Sequence, residues 1–361
     1  MGIDLHFTEE DWERIARDWT DWWAGDLNRP LVMIEGFDPL DVFEDLASNF
    51  PLEVPVEAVL DHYQARLEAT HFYGDAWPKW WPNFGPGIAA GFLGAQVHSV
   101  ERTVWFEPTS VDCGGEMGIE DLRPAYDADN AWWRRVRSLT CAAVKRWGNR
   151  VSVGHTDLGG NLDILASLRT TQQLLFDLHD APDEVARLAG EITRLWLRYY
   201  DELYTIIGTA DRGTTPWAAI WSPDRCYMLQ SDFSYMISPQ MFERFVLPDL
   251  AACCAALDHG FYHLDGKGQI PHLDMLLSLD RLQGIQWIPG DGQPPPEKWM
   301  PLLKRIRDGG KLCQLYVTPT GARSIVRELG GRGFALYIDQ KMSQDQAEDF
   351  LHVLAAENDE C

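Results

Sequence analysis

Short apolar runs and stretches of helical periodicity alternate along most of the chain. Residues 260–292 show the unit most fully. Phe261 and Tyr262 belong to an aromatic run of the kind that forms a buried strand. His263, Asp265 and Lys267 follow, and their polar groups cannot stay in a core unpaired. Leucines at helical spacing occupy 273–282. Residues 284–288 give a second short strand, which ends in a Gly/Pro-rich loop carrying Asp291. Strands that release ionisable side chains at their C-terminal ends, with helices between, are the repeat of a parallel α/β enzyme.

The rest of the chain extends this pattern. Thr8 to Asp11 reads as an N-cap with an acidic first turn. It opens a helix with Trp12, Ile15, Trp19 and Trp23 at helical spacing, and Gly25 ends it. Such a helix packs on the outside or the bottom of the fold. Residues 29–36 form the first strand, with Glu35 at its end. Further helices are predicted at 40–47, 55–69, 129–147, 164–174, 182–207, from Ser238 onward, at 320–329 and at 343–355. Further strands are predicted at 102–107, 150–157, 215–221, 311–317 and 333–339. Residues 71–94 are rich in Trp, Pro and Gly and read as a long active-site loop. About eight strands feed one face if the second lies near Asp75 or at 104–106. No linker or repeat divides the chain. Residues 1–361 therefore read as one α/β domain, a (β/α)8 TIM barrel with residues 1–28 as a helical lead-in.

Charge narrows the partners. The formal net charge is −24, from 31 basic and 55 acidic residues. With no local basic patch, such a chain does not attract nucleic acid or an anionic membrane. No apolar run approaches the roughly 20 residues of a membrane span. The polar, acidic start is unlike a signal peptide. Seven scattered Cys without a CxxC pair fit reduced thiols in the cytoplasm. The 16 Trp stand out. Grouped in a pocket, they suit a sugar face, a planar ligand or an alkylammonium group.

Candidate chemistry gathers at the predicted strand ends. His155 and Asp157 precede a Gly-Gly turn, followed by Asn161 and Asp163. Asp163 is either a site residue or a helix cap. Asp75, Trp77, Trp80 and Trp81 sit in the 71–94 loop. Trp217 and Trp221 bracket a predicted strand, Asp232 lies in the loop beyond, and Trp287 precedes Asp291.

Several segments together resemble the uroporphyrinogen decarboxylase superfamily: RPLVMIEG, YGDAWPKWWPNFGPG, HTDLGGNLDIL, SDFSYMISPQMFERFVLPDL, YHLDG and GIQWIPGDG. That superfamily also holds zinc- and corrinoid-dependent methyltransferases and is related to cobalamin-independent methionine synthase. The resemblance implies a (β/α)8 barrel, and homodimers are common among its members. Porphyrinogen decarboxylases carry an Arg-rich segment after the first strand. Here Met33 to Phe37 holds no arginine and one acid. Like charges about 4 Å apart repel by about 4 kcal/mol at an effective dielectric of about 20. A porphyrinogen with its many carboxylates is thereby disfavoured.

The zinc-binding branch uses a His-x-Cys at one strand end and a Cys at the last strand. His263 matches the histidine, Asp265 stands at the first cysteine, and Asp339 lies near the second. These three are the implied ligands of zinc or another divalent metal. The alternatives are a metal-free acid/base cluster and a His–Asp pair bracing loops. Three functions follow. The first is methyl transfer from a small methylated amine, or with a corrinoid on a partner protein. The substrate then sits among Trp77, Trp81, Trp217, Trp221 and Trp287, with Asp232 and Asp291 also in contact. The second is decarboxylation or another proton transfer on a small ring compound. There Asp75 or Asp157 stabilises a cation, and His155 or His263 moves the proton. The third is a barrel that binds a sugar or an amine without catalysis.

Overall fold

A computed structural model describes residues 2–37, 52–100, 103–109, 118–208 and 212–360. The helix expected at 40–47 lies outside them. The strands, in chain order, are β1 (Leu31–Phe37), β2 (Thr70–Gly74), β3 (Lys79–Trp80), β4 (Gln96–Val100), β5 (Thr103–Glu107), β6 (Ser152–Val153), β7 (Cys226–Leu229), β8 (His259–Asp265), β9 (Leu282–Ile288), β10 (Leu312–Val317) and β11 (Phe334–Ile338). Seven form one sheet in the order β2-β1-β11-β10-β9-β8-β7. All its pairings are parallel except that of β2, which runs antiparallel to β1. β3 and β6 make a parallel pair, and β4 and β5 a hairpin.

Beyond β6, His155 N donates to Thr215 O at 3.1 Å, an isolated bond on that side of the β3–β6 pair; Asp75 N, which donates to Val32 O at 2.6 Å, continues the antiparallel β1–β2 ladder. Among the described residues no ladder runs on from β1 to β3 or from β6 to β7. Thirteen α-helices accompany the strands among the described residues, so the fold is mixed α/β with a parallel sheet.

The first helix, Glu9–Ala24, shows how sequence sets position. Thr8 Oγ1 accepts from Asp11 N at 3.2 Å, and Asp11 Oδ2 accepts from Thr8 N at 2.9 Å. Gly25 ends the helix at φ 74°. Its buried face carries Trp12, Trp19, Trp22 and Trp23. Trp19 meets Trp77 edge-on at 5.1 Å, and Trp23 stacks on His259 at 4.4 Å. His259 opens β8. The helix therefore closes the N-terminal end of the sheet, leaving the strand C-termini open for chemistry.

Several expected elements differ. Residues 215–221 are not in a ladder. Pro216 has no N–H to give, and the chain curls around the Thr215 hydroxyl, which donates to Ile220 O at 2.8 Å. The strand here is β7, a few residues later. Residues 71–94 are not one loop: they contain most of β2, all of β3 and the short helix Ala89–Phe92. The helix expected at 164–174 is two, Asn161–Arg169 and Thr171–Asp180. They break at Thr170, whose φ is 75° and whose hydroxyl accepts from Gln173 N at 3.3 Å. The leucine stretch 273–282 is helical only at Leu273–Leu277, because Leu282 already belongs to β9.

Asp75 sits at the closed end. Its carboxylate, 2% exposed, accepts from both Arg29 guanidinium nitrogens at 2.7 and 2.8 Å and from Val32 N at 2.8 Å. Val32 is near the start of β1, whereas Glu35 is toward its end. These contacts give Asp75 a bracing role. Asp75→Ala should cost about 2–3 kcal/mol, less than a fully buried pair because Arg29 is partly open to water. Urea unfolding would measure it, and metal uptake by the folded fraction should not change.

Candidate functional site

The side-chain period of two places His263 and Asp265 on the same face of β8. Asp232 follows β7, the strand paired with β8. Each of these three residues offers one ligand atom, and the atoms lie within 4.8 Å of one another. Among the described residues this is the only such group of His, Cys, Asp and Glu. Asp339 is not part of it. It follows β11, which is three strands from β8, or about 14 Å along the sheet at about 4.8 Å per strand.

A polar row holds His263 from behind. In the parallel register His263 pairs with Gln286, and Gln286 with Gln314. Both glutamines are fully buried. Gln286 Nε2 donates to Gln314 Oε1 at 2.5 Å, so Gln286 Oε1 faces the histidine and bonds its Nδ1. An amide oxygen only accepts, so Nδ1 carries the proton. Nε2 then holds a lone pair, the form that binds a metal. Burial lowers the His263 pKa, partly offset by the Gln286 bond and the Asp265 charge. The imidazole is therefore neutral near pH 7. Sequence reasoning missed both glutamines. Each is a lone polar residue inside an apolar strand, and that was the available signal.

Behind Asp232 lies a set of buried acids. The loop after β6 approaches closely because Gly159 and Gly160 lack side chains. A Cβ at Gly160 would lie 2.2 Å from Gln230 O, and one at Gly159, where φ is 80°, would lie 2.7 Å from Gly87 Cα. Asp163 caps its helix and also reaches the loop after β7. It accepts from Gly160 N at 3.3 Å as a cap, and from Asp232 N at 3.1 Å and Phe233 N at 2.7 Å, which fixes the Asp232 loop. Burial first, then the Asp232 charge, raises its pKa. Asp157 is pushed up to about 8 by burial, opposed by the Gly159 N–H at 2.9 Å. Asp249, unflagged in the sequence, is pushed up to about 7 by burial, despite the Thr193 hydroxyl at 2.5 Å. Asp232 itself is at the rim, open to water on one side, with its pKa raised by burial and by Asp265.

Two cavities flank this group. The first, about 440 Å³, is lined by Glu35, Arg66, Lys79, Trp217, Tyr337 and Asp339 among others. Lys79 pairs with Glu35, and its Nζ lies 4.8 Å from the Trp77 ring centre. Trp217 joins this cavity to the three-residue cluster: its ring meets His263 edge-on at 5.1 Å. The second cavity, about 500 Å³, includes Asp163 and Asp232.

The expected tryptophan wall is divided. Trp81 and Trp217 line the first cavity, as does Trp80. Trp77, Trp221 and Trp287 are buried in the core. Trp287 is on the opposite face of β9 from Gln286 and packs on Trp299 at 5.1 Å. Trp221 Nε1 donates to Arg212 O at 2.8 Å. Asp291 is exposed and lines neither cavity. His155 is buried and stacks on Tyr200 at 4.3 Å; burial pushes its pKa down to about 3. It is a neutral ring in an aromatic stack and lines neither cavity.

A methyltransferase from Methanosarcina mazei superposes with a TM-score of 0.58 and 12% identity, over 96% of this chain and 98% of that one. The chain shares its fold. At that identity the likeness speaks to fold alone. A B12-independent methionine synthase from Shewanella sp. W3-18-1, in complex with selenomethionine, aligns over 74% of each chain at 10% identity. Its TM-score of 0.36 is too low to carry an argument. No family model and no curated protein matches the chain. Among the described residues no helix is long and apolar enough to cross a membrane.

The raised acids give a pH signature. From the ordinary carboxylate range up to about pH 8 for Asp157 and about pH 7 for Asp249, the folded acids hold protons that the unfolded chain has released. Stability contributed this way falls as pH rises. Buried histidines act oppositely below about pH 6.5, so the clean window is above it. With chelator present, the urea midpoint should drop from about pH 6.5 to 8, and Asp157→Asn should flatten the slope. A midpoint that rises over this range would contradict the assignment.

Proposed function

We propose that this chain is a metal-dependent methyltransferase of the uroporphyrinogen decarboxylase superfamily, built on an eight-stranded barrel. The six parallel strands of the large sheet and the parallel pair β3–β6 supply the eight. Three ligand atoms within 4.8 Å of one another, from Asp232, His263 and Asp265, carry the assignment. The donor set fits an ion. Nδ1 of His263 is committed to Gln286, which leaves Nε2 to bind. One nitrogen and two carboxylates suit zinc or another borderline divalent ion and leave coordination positions open. Such an ion supplies a Lewis acid that keeps a methyl acceptor anionic near neutral pH.

The chain itself positions the reactants. Gln286 and Gln314 fix the tautomer of His263, and Trp217 holds the outer edge of its ring. The first cavity takes the methyl donor. Lys79 neutralises Glu35 there, and Asp339 at the rim faces a cationic donor against Trp80 and Trp81. A methylated amine or the corrinoid of a partner protein fits that role. A homodimer in the cytoplasm goes with the same assignment. Acid/base chemistry on a small ring compound is the second reading. Asp163 favours it, because burial holds its proton above the usual range and it lines a cavity.

Metal content and methyl exchange test the proposal together. Protein reconstituted with zinc should hold about one ion per chain. His263→Ala and Asp265→Asn should each lower metal affinity by about tenfold or more, whereas Asp339→Asn should not. The same two variants should lose methyl transfer from methylcobalamin to a thiol, followed by cobalamin absorbance. Zinc binding indifferent to both substitutions would remove the metal and favour proton transfer.

A further inference from the structure

The first cavity holds a phenol that can only donate. Gln286, already bound to His263 and Gln314, has one of its two amide N–H groups left. The Gln286 amide and the Ala219 backbone N–H both serve the phenol oxygen of Tyr316 as donors. Tyr316 lies two residues beyond Gln314 on β10, so it shares that face of the strand. It lines the cavity beside Trp217 and Ala219. Two incoming donors fill the lone pairs of a phenol oxygen, and the O–H is then left to donate. Burial first, with the charges of Glu35 and Asp339, pushes the Tyr316 pKa up to about 12 against those two donors. The O–H therefore keeps its proton throughout the neutral range.

The charges around this phenol are balanced. Arg66 and Lys79 bring two positive side chains to the wall, and Glu35 and Asp339 bring two negative ones. Lys79 has three N–H groups and pairs with Glu35, which leaves donors over. Asp339 stands exposed at the rim, and Trp80 and Trp81 line the same cavity. One wall thus offers donors for an anionic oxygen, and an acid with aromatic faces for a methylated cation.

We propose that the first cavity takes a small zwitterion, a methylated ammonium joined to a carboxylate, whose carboxylate accepts from the Tyr316 O–H and the Lys79 ammonium and whose cationic end faces Asp339 and Trp81. This names the methyl donor of the reading above and rests on it, although the binding itself needs no metal. A plain quaternary ammonium leaves Tyr316 and Lys79 without an acceptor. A hydroxylated one supplies an acceptor that carries no charge. A plain carboxylate meets Glu35 and Asp339 with the wrong sign.

Isothermal titration of the full chain in EDTA tests this with four probes: glycine betaine, choline, tetramethylammonium and acetate. Glycine betaine should bind about tenfold or more tighter than each of the others, as expected for a hydrogen bond to a charged group. Tyr316→Phe should weaken glycine betaine about tenfold and leave tetramethylammonium within about twofold, which also shows that the cavity is intact. Asp339→Asn, at an exposed position, should weaken glycine betaine and tetramethylammonium alike, by about threefold. Glycine betaine no tighter than choline or tetramethylammonium, tighter binding of acetate, or unchanged glycine betaine binding in both variants would overturn the proposal. Zinc uptake without this selectivity overturns it and leaves the metal reading standing. Selectivity without zinc uptake supports it and removes the metal instead, so the two fall separately.

Discussion

The site depends on a row of three side chains locked by strand register. His263, Gln286 and Gln314 come from three adjacent parallel strands and stand opposite one another. Their polar groups lie in an apolar interior, where an unpaired amide is costly. Each is therefore bound to the next, and the last link sets which nitrogen of His263 carries the proton. A slip of one residue in any of these strands would turn its member of the row to the other face. The fold and the chemistry thus share one constraint.

Much of the fold was legible because it follows periodicity and capping. The Thr8 box, the Ser238 cap and the long helix Pro182–Ile207 were all readable as local patterns. What misled was local resemblance without hydrogen-bond accounting. Residues 215–221 are apolar and β-like, yet Pro216 and the Thr215 hydroxyl turn them into a coil. A strand near Asp75 was one of two places expected for the second strand, and two lie there. That β2 runs antiparallel on the edge could not be read, because its partner β1 is distant in sequence.

For the site, the near-range information was good and the long-range information poor. His263 and Asp265 are two residues apart on a strand, so their convergence was readable. Asp339 required knowing how many strands lie between β11 and β8, which no local pattern states. Asp232 joins His263 and Asp265 because β7 is the neighbour of β8, another fact of topology. Parity was the unused clue for Trp287: if Gln286 faces inward, its successor faces out. Trp77 and Trp221 could not be sorted by type, since indole serves walls and cores alike. The buried acids around Asp163 carry a cost to stability that a core of apolar residues would avoid. That trade is common where a loop must be held for chemistry.

The tryptophan helix under the sheet has an optical consequence. Trp19, Trp22 and Trp77 are buried at the closed end, with Trp19 in contact with both of the others, and Trp133, Trp147 and Trp287 are sealed elsewhere in the core. Indoles kept from water emit toward the blue and exchange excitation with close neighbours. The protein's native glow therefore reports mostly on its floor and interior. A ligand at the open end touches only a few emitters, Trp217 and its cavity neighbours, and registers as a small change on a large, steady background.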